Sequence, residues 1–149
     1  MDQPFIIDDP ATATFRVNRR AMVDPDVLAA ERTNIFDQTW LYLGHESEVG
    51  QPGDYVSRTV GGRSLVLCRD NDGGLRVWLN TCTHRSATVC RETKGHGRFL
   101  TCFYHAWSFD LAGNLAALPD GEAYGPAFDK SVLALKAPPR TDSYRGFVF

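Results

Sequence analysis

Four residues in two short runs, Cys82-Thr83-His84 and Cys102-Phe103-Tyr104-His105, have the types and spacing to grip a metal centre. Each run pairs one thiolate with one imidazole, and 17 residues separate the runs. Such a set suits two kinds of centre. One is a [2Fe–2S] cluster with both cysteines on one iron and both histidines on the other. The other is a structural Zn²⁺ held by two Cys and two His. The tight C-x-H half and the mixing of ligand types within each run depart from zinc-finger spacing, so the diiron reading takes precedence.

Charge counting explains what mixed ligation would achieve. Two ferric ions and two sulfides leave a doubly positive core. Four thiolates would make the oxidised cluster a dianion, whereas two thiolates and two neutral imidazoles leave it neutral. An electron is added more easily to the neutral site. Potentials for such clusters lie at roughly −150 to +300 mV, against about −400 mV for plant-type all-cysteine clusters. The far ring N–H of an iron-bound imidazole also remains free to meet solvent or a carboxylate.

The elements that must position these residues are short strands and turns. Tyr55 to Val60 and Ser64 to Arg69 flank Gly61-Gly62, a hairpin signal. Asn71-Asp72-Gly73-Gly74 predicts a turn into Leu75 to Asn80. Arg98 to Cys102 and Ala106 to Asp110 flank the second run, and Asp110 to Asn114 is a third turn. The fold class expected is mainly β: a small antiparallel sandwich or barrel, with the ligand runs on neighbouring loops at one end. Before it, residues 1–23 read as an irregular arm. Asp24 as N-cap and Pro25 at the first position then open a helix over residues 24–39. Residues 119–145 read as a long wrapping loop with a short helical turn. The domain division expected is 1–39 for arm and helix and 40–149 for the metal-binding domain.

Composition narrows the class. At 149 residues the chain suits one domain plus an appended arm. Its net charge of −2 offers no basic surface for nucleic acid or anionic lipid. The acidic start, Met1 to Asp9, lacks a long apolar run, which argues against a signal peptide or a membrane anchor. Two of the four cysteines sit beside histidines, so a reducing, cytoplasmic setting with metal-bound thiolates fits better than disulfides. The final Gly146-Phe147-Val148-Phe149 reads as a strand entering a core. It carries the expectation that the chain is the N-terminal piece of a longer polypeptide.

The stretch Asn80-Thr81-Cys82-Thr83-His84-Arg85, with Cys102-Phe103-Tyr104-His105-Ala106-Trp107, resembles the Rieske domain in the large (alpha) subunit of bacterial aromatic ring-hydroxylating oxygenases. Ile35-Phe36, Trp40, Gly44-His45 and Gly53-Asp54-Tyr55 resemble the approach to that domain, and Ser143 to Phe149 resembles its exit toward a catalytic domain. The likeness covers about residues 24–149. It implies a Rieske-type β fold, with Cys82, His84, Cys102 and His105 as cluster ligands. It also implies electrons delivered by a ferredoxin or flavin reductase, and passed to a mononuclear Fe(II) that activates O₂ in a catalytic domain. A homotrimer or an alpha/beta hetero-hexamer is the implied assembly. The chain departs from the family pattern at Ser86 and Ala106, where Gly is usual, and at Phe103, where Pro is usual.

Respiratory Rieske proteins carry two further cysteines that tie the cluster loops together; here those positions are Ala87 and Tyr104. Their serine hydroxyl against a cluster sulfur is replaced by Trp107. Both changes predict a low potential. A free-standing Rieske ferredoxin is the alternative, but the helix at 24–39 and the tail at 119–149 favour the oxygenase. No catalytic residue is expected in this chain. Only His45 and His96 remain for a 2-His-1-carboxylate iron site, and neither has the necessary spacing. No G-x-G-x-x-G follows a strand, so nicotinamide and flavin belong to another protein. Among the neighbours of the ligands, Arg85 is expected to brace its loop and Trp107 to pack over the cluster. Tyr104 could turn its hydroxyl toward a cluster sulfur. Cys68 and Cys90 are expected in the core, and His96 in a solvated turn.

Overall fold

A computed structural model describes residues 4–149. Contacts divide the chain into Met1–Trp40 and Leu41–Phe149.

The first unit is more ordered than its sequence suggested. β1 (Ile6–Asp9) pairs antiparallel with β2 (Thr14–Val17). The link between them, a 3-10 turn at Pro10–Thr12, forms because the Asp9 carboxylate accepts from the Ala11 N–H at 3.0 Å and the Thr12 hydroxyl at 2.7 Å. The expected irregular arm is therefore a hairpin, whose β-branched and aromatic positions outweigh the early prolines. Asp24 then serves two helices. Its N–H closes α1 (Arg20–Val23) on the Arg20 carbonyl, and its carboxylate caps α2 (Pro25–Glu31) through the Asp26 N–H at 3.0 Å. A π-turn over Arg32–Phe36 follows. None of the described residues of this unit is buried.

The second unit is built from short antiparallel strands in three open sheets, none of them a closed barrel. β4 (Asp54–Val60) and β5 (Arg63–Arg69) form the expected hairpin, with Gly61 and Gly62 both at positive φ as its two-residue turn requires. β6 (Leu75–Leu79) and β7 (Lys94–His96) complete this sheet in the order β6-β5-β4-β7. A second sheet runs β10 (Leu115–Ala117), β9 (Ser108–Asp110), β8 (Phe99–Thr101). A third joins β11 (Ser143–Tyr144), β12 (Phe147–Val148) and β3 (Gly44–His45).

β5 separates two cores. Its period of two sends Val66 and Cys68 to one face and Leu67 to the other. The first face packs with Cys82, Cys90, Leu100, Cys102, Trp107 and Phe109; the second packs with Leu43, Val49, Val56 and Val148. Each fully buried side chain of Leu or Phe size contributes about 1.5–3 kcal/mol of apolar burial. Cys82 and Cys102 thus sit inside the larger core.

The segment beyond β10 wraps as expected, with 3-10 turns at Gly121–Tyr124 and Lys130–Leu133. It is tied to the body by Leu135 N–H to the Gly113 carbonyl at 2.7 Å and Leu79 N–H to the Lys136 carbonyl at 2.8 Å. His96 is not a turn residue. It ends β7 beside Asp54, with Nδ1 2.8 Å from the carboxylate, because the flanking glycines let the chain pair with β4. No described helix is long and apolar enough to cross a membrane.

Candidate metal centre

Two loops carry the four candidate ligands and share one backbone design. In the first, after β6, the Cys82 N–H donates to the Ala87 carbonyl at 2.8 Å, and the Ser86 N–H donates back to the Cys82 carbonyl at 2.9 Å. In the second, between β8 and β9, Cys102 donates to Trp107 at 2.8 Å and Ala106 to Cys102 at 2.9 Å. Each closure needs a left-handed residue four positions after the cysteine. Ser86 has φ +56 and Ala106 φ +55.

The loops bring like donors together. Cys82 and Cys102 are both buried in the same core cluster. Burial pushes the Cys82 thiol up. The backbone N–H groups of His84 and Arg85 point at its sulfur and pull the other way, while Cys102 adds to the rise. The imidazoles of His84 and His105 meet edge to face with centroids 4.7 Å apart. Burial lowers the proton affinity of His84, and the charges of His105 and Arg85 add to this. A shift in this direction favours the neutral imidazole, the form that binds a metal.

One atom tests the fit of a cluster. His84 Nδ1 is buried and has no hydrogen-bond partner. Leaving such an atom unsatisfied costs about 1–3 kcal/mol, and a metal bond at that nitrogen removes the penalty. Among the described residues no three His, Cys, Asp or Glu side chains converge on a single ion. A diiron core that takes two protein ligands per iron agrees with thiols at one end and imidazoles at the other.

The surroundings sort the other expectations. Trp107 is buried and lies flat on His84, with centroids 4.5 Å apart and planes 7° apart, so it covers one face of that imidazole. Tyr104 is half exposed and tilts over His105 at 3.9 Å, which puts it at the imidazole end. Arg85 is exposed; its charge acts on His84, and no described hydrogen bond of its side chain braces the loop. Cys68 and Cys90 are core residues, their thiols pushed up to about 12 chiefly by burial.

Sequence reasoning gave Asn80 no structural role, and it is the brace of the first loop. Its amide is buried, accepts from the Cys90 N–H at 2.7 Å, and donates to the Cys90 carbonyl at 2.8 Å and the Ser64 hydroxyl at 3.2 Å. Thr83 was also missed. Its hydroxyl donates to the Leu133 carbonyl at 2.6 Å and ties the loop to the wrapping segment. A polar residue just before or inside a ligand run was the available signal. A hollow of about 570 Å³ opens at the imidazole end, walled by His84, His105, Tyr104, Trp107, Pro119 and Tyr124.

An antiparallel β domain with paired Cys-x-His and Cys-x-x-His loops at one end of its core defines a class of iron–sulfur domain. Residues 39–137 match the profile of the Rieske [2Fe–2S] domain, and the chain belongs to that family. It is 36% identical over 135 residues to the benzene 1,2-dioxygenase alpha subunit of Pseudomonas putida, covering 90% of this chain and 30% of that subunit. It is 37% identical over 127 residues to the large oxygenase component of a naphthalene 1,2-dioxygenase system from Pseudomonas aeruginosa, covering 85% and 28%. The fold matches a naphthalene 1,2-dioxygenase from Rhodococcus sp. bound to indole, with TM-score 0.82 and 38% identity over 89% of this chain and 30% of that one. A quaternary ammonium Rieske monooxygenase also matches, with TM-score 0.75 and 34% identity over 87% and 36%. The chain is thus homologous to the Rieske region of oxygenase large subunits and spans about 30% of the length of the curated dioxygenase relatives. These relatives lend the ferredoxin alternative no support.

Proposed function

We propose that Cys82 and Cys102 hold one iron, and His84 and His105 the other, of a Rieske [2Fe–2S] cluster. The observation that carries this is the buried, unpartnered His84 Nδ1 beside His105, on loops whose cysteines, Cys82 and Cys102, are buried together in one core cluster. When bound, the cluster supplies one-electron redox chemistry near the low end of the Rieske range. The chain's own residues set its surroundings. Trp107 excludes water from one face of His84. The N–H groups of His84 and Arg85 stabilise negative charge on the Cys82 sulfur. Asn80 and Thr83 hold the first loop in place.

In this reading residues 40–149 form the electron-transfer domain of an aromatic ring-hydroxylating oxygenase, and residues 1–39 an arm and helix belonging to the same subunit. A ferredoxin or flavin reductase is the electron donor, and a mononuclear non-haem iron in a catalytic domain is the acceptor. The assembly is a homotrimer or an alpha/beta hetero-hexamer in the cytoplasm. Kinship to oxygenase large subunits supports this. The test is the chain purified without air. It is expected to carry iron and sulfide in equal amounts and to give a Rieske-type EPR signal after dithionite. His84→Ala and His105→Ala should each abolish that signal. A colourless, zinc-bearing, EPR-silent protein would refute the assignment.

A further inference from the structure

Thr83 is the single residue between the candidate ligands Cys82 and His84. With one residue between them, the relative placement of the two side chains turns on the backbone at Thr83. The second run spreads the same turn over Phe103 and Tyr104. Thr83 is also β-branched, so its side chain has few staggered choices, and holding its hydroxyl holds the backbone that carries it. The structure holds that hydroxyl. It donates to the Leu133 carbonyl at 2.6 Å in a half-buried position, across 50 residues of sequence.

The acceptor is itself fastened to the cysteine-bearing core. Leu135 is buried in that core, and Leu118, Phe128 and Leu133 pack against it. The Leu135 N–H donates to the Gly113 carbonyl at 2.7 Å, and the Lys136 carbonyl accepts from the Leu79 N–H at 2.8 Å. These two backbone bonds anchor the wrapping segment to the turn before β10 and to the end of β6. The Thr83 bond is different, because it reaches into a ligand run. Farther back along the same segment, Pro119 and Tyr124 wall the hollow beside His84 and His105, and Tyr124 packs on Phe128 with centroids 4.4 Å apart. All of these contacts lie within the chain.

We propose that Thr83 is a positioning residue for His84: its hydroxyl latches the first ligand run to the anchored segment 118–136 and so fixes where the imidazole stands relative to Cys82. This rests on the cluster ligation proposed above. Asn80 has another part, since its bonds go to Ser64 and Cys90 and not to the stretch between the ligands.

The test compares Thr83→Val, which keeps the shape and removes the hydroxyl, with Thr83→Ser, which keeps the hydroxyl. Three readouts are taken on the chain purified without air. Hydrogen exchange followed by mass spectrometry reads the latch directly. Peptides covering residues 130–136 should exchange about fivefold faster in Thr83→Val, the loss of one hydrogen bond with its acceptor left behind, and within about twofold of wild type in Thr83→Ser. Loss of the visible cluster absorbance to an iron chelator should likewise quicken about fivefold in the valine variant and be rescued by serine. The EPR g-values and the histidine nitrogen couplings of the dithionite-reduced protein should shift in the valine variant and return in the serine variant. Wild-type exchange in Thr83→Val would overturn the latch. Faster exchange with unchanged g-values, nitrogen couplings and cluster release would overturn the positioning of His84 and leave Thr83 a structural tie. A wild-type chain without a Rieske spectrum would overturn the ligation and this inference with it, while the exchange data would still report whether the tie exists.

Discussion

Ser86 and Ala106 occupy the same backbone place in the two candidate ligand loops. Each lies four residues after a cysteine, donates its N–H to that cysteine's carbonyl at 2.9 Å, and takes a φ near +55°. Left-handed backbone costs a non-glycine residue about 1–2 kcal/mol, and glycine returns part of that gain through its greater unfolded-state freedom. Ser86→Gly and Ala106→Gly should therefore each stabilise the loaded protein by about 0.5–1 kcal/mol. Chemical denaturation followed at the cluster absorbance checks this. No gain in either variant would mean that the loops hold these conformations without strain.

Asn80 should matter to stability, because it is a buried polar residue that satisfies two backbone groups of the core. Asn80→Ala strands the N–H and carbonyl of Cys90 in the core, two buried polar groups at about 1–3 kcal/mol each. The expected loss is about 2–5 kcal/mol, with cluster release at a lower denaturant concentration. Asn80→Asp is expected to rescue poorly, since a carboxylate can accept from the Cys90 N–H but cannot donate to its carbonyl. A denaturation midpoint within error of wild type for Asn80→Ala would show that the amide braces nothing.

The midpoint potential should fall toward the low end of the Rieske range, roughly −150 mV. Ala87 and Tyr104 exclude the loop disulfide of the respiratory proteins, and Trp107 stands where their serine hydroxyl meets a sulfur. A dye-mediated redox titration measures it, and a value near +300 mV would contradict the argument. Trp107→Ala should cost about 3–5 kcal/mol of stability by opening a cavity against His84.

Acid should loosen the junction between β3 and β4 through Glu48. The Arg58 guanidinium and the His45 N–H hold its carboxyl below the usual carboxylate range. A carboxyl whose folded value is depressed contributes stability that is fully present above its unfolded value near 4.5 and is lost as pH falls through the folded value. Glu48→Gln should lower stability at neutral pH and flatten its decline below about pH 4.5. Parallel denaturation series of both proteins at several pH values provide the comparison. Identical slopes would remove Glu48 from the account.

Much of this was legible in the chain because the signals were local. Gly61-Gly62 specifies a two-residue turn wherever it occurs, and the Asp24-Pro25 start of a helix needs only its own neighbours. The ligand runs are local too, since each is complete within four residues. What escaped notice depends on distance. Asn80 reaches Cys90 only once β6 has delivered it, and Thr83 finds Leu133 across 50 residues. The β1–β2 hairpin was hidden by its composition, two prolines and a run of acids, although Asp9 turns out to build the bend. His96 looked like a turn residue between glycines because its partner Asp54 lies 42 residues away. The likeness of the two ligand loops could be seen only as paired hydrogen bonds, because Ser86 and Ala106 lack the shared glycine that would have advertised it.

β5 lies between two cores, and alternate residues of one strand belong to each. Loosening the compartment that holds Cys82 and Cys102 means displacing Val66 and Cys68, which also withdraws Leu67 from the opposite side. Residues 41–149 should therefore come apart all-or-none, with loss of iron and collapse of the far layer following one another within a single transition.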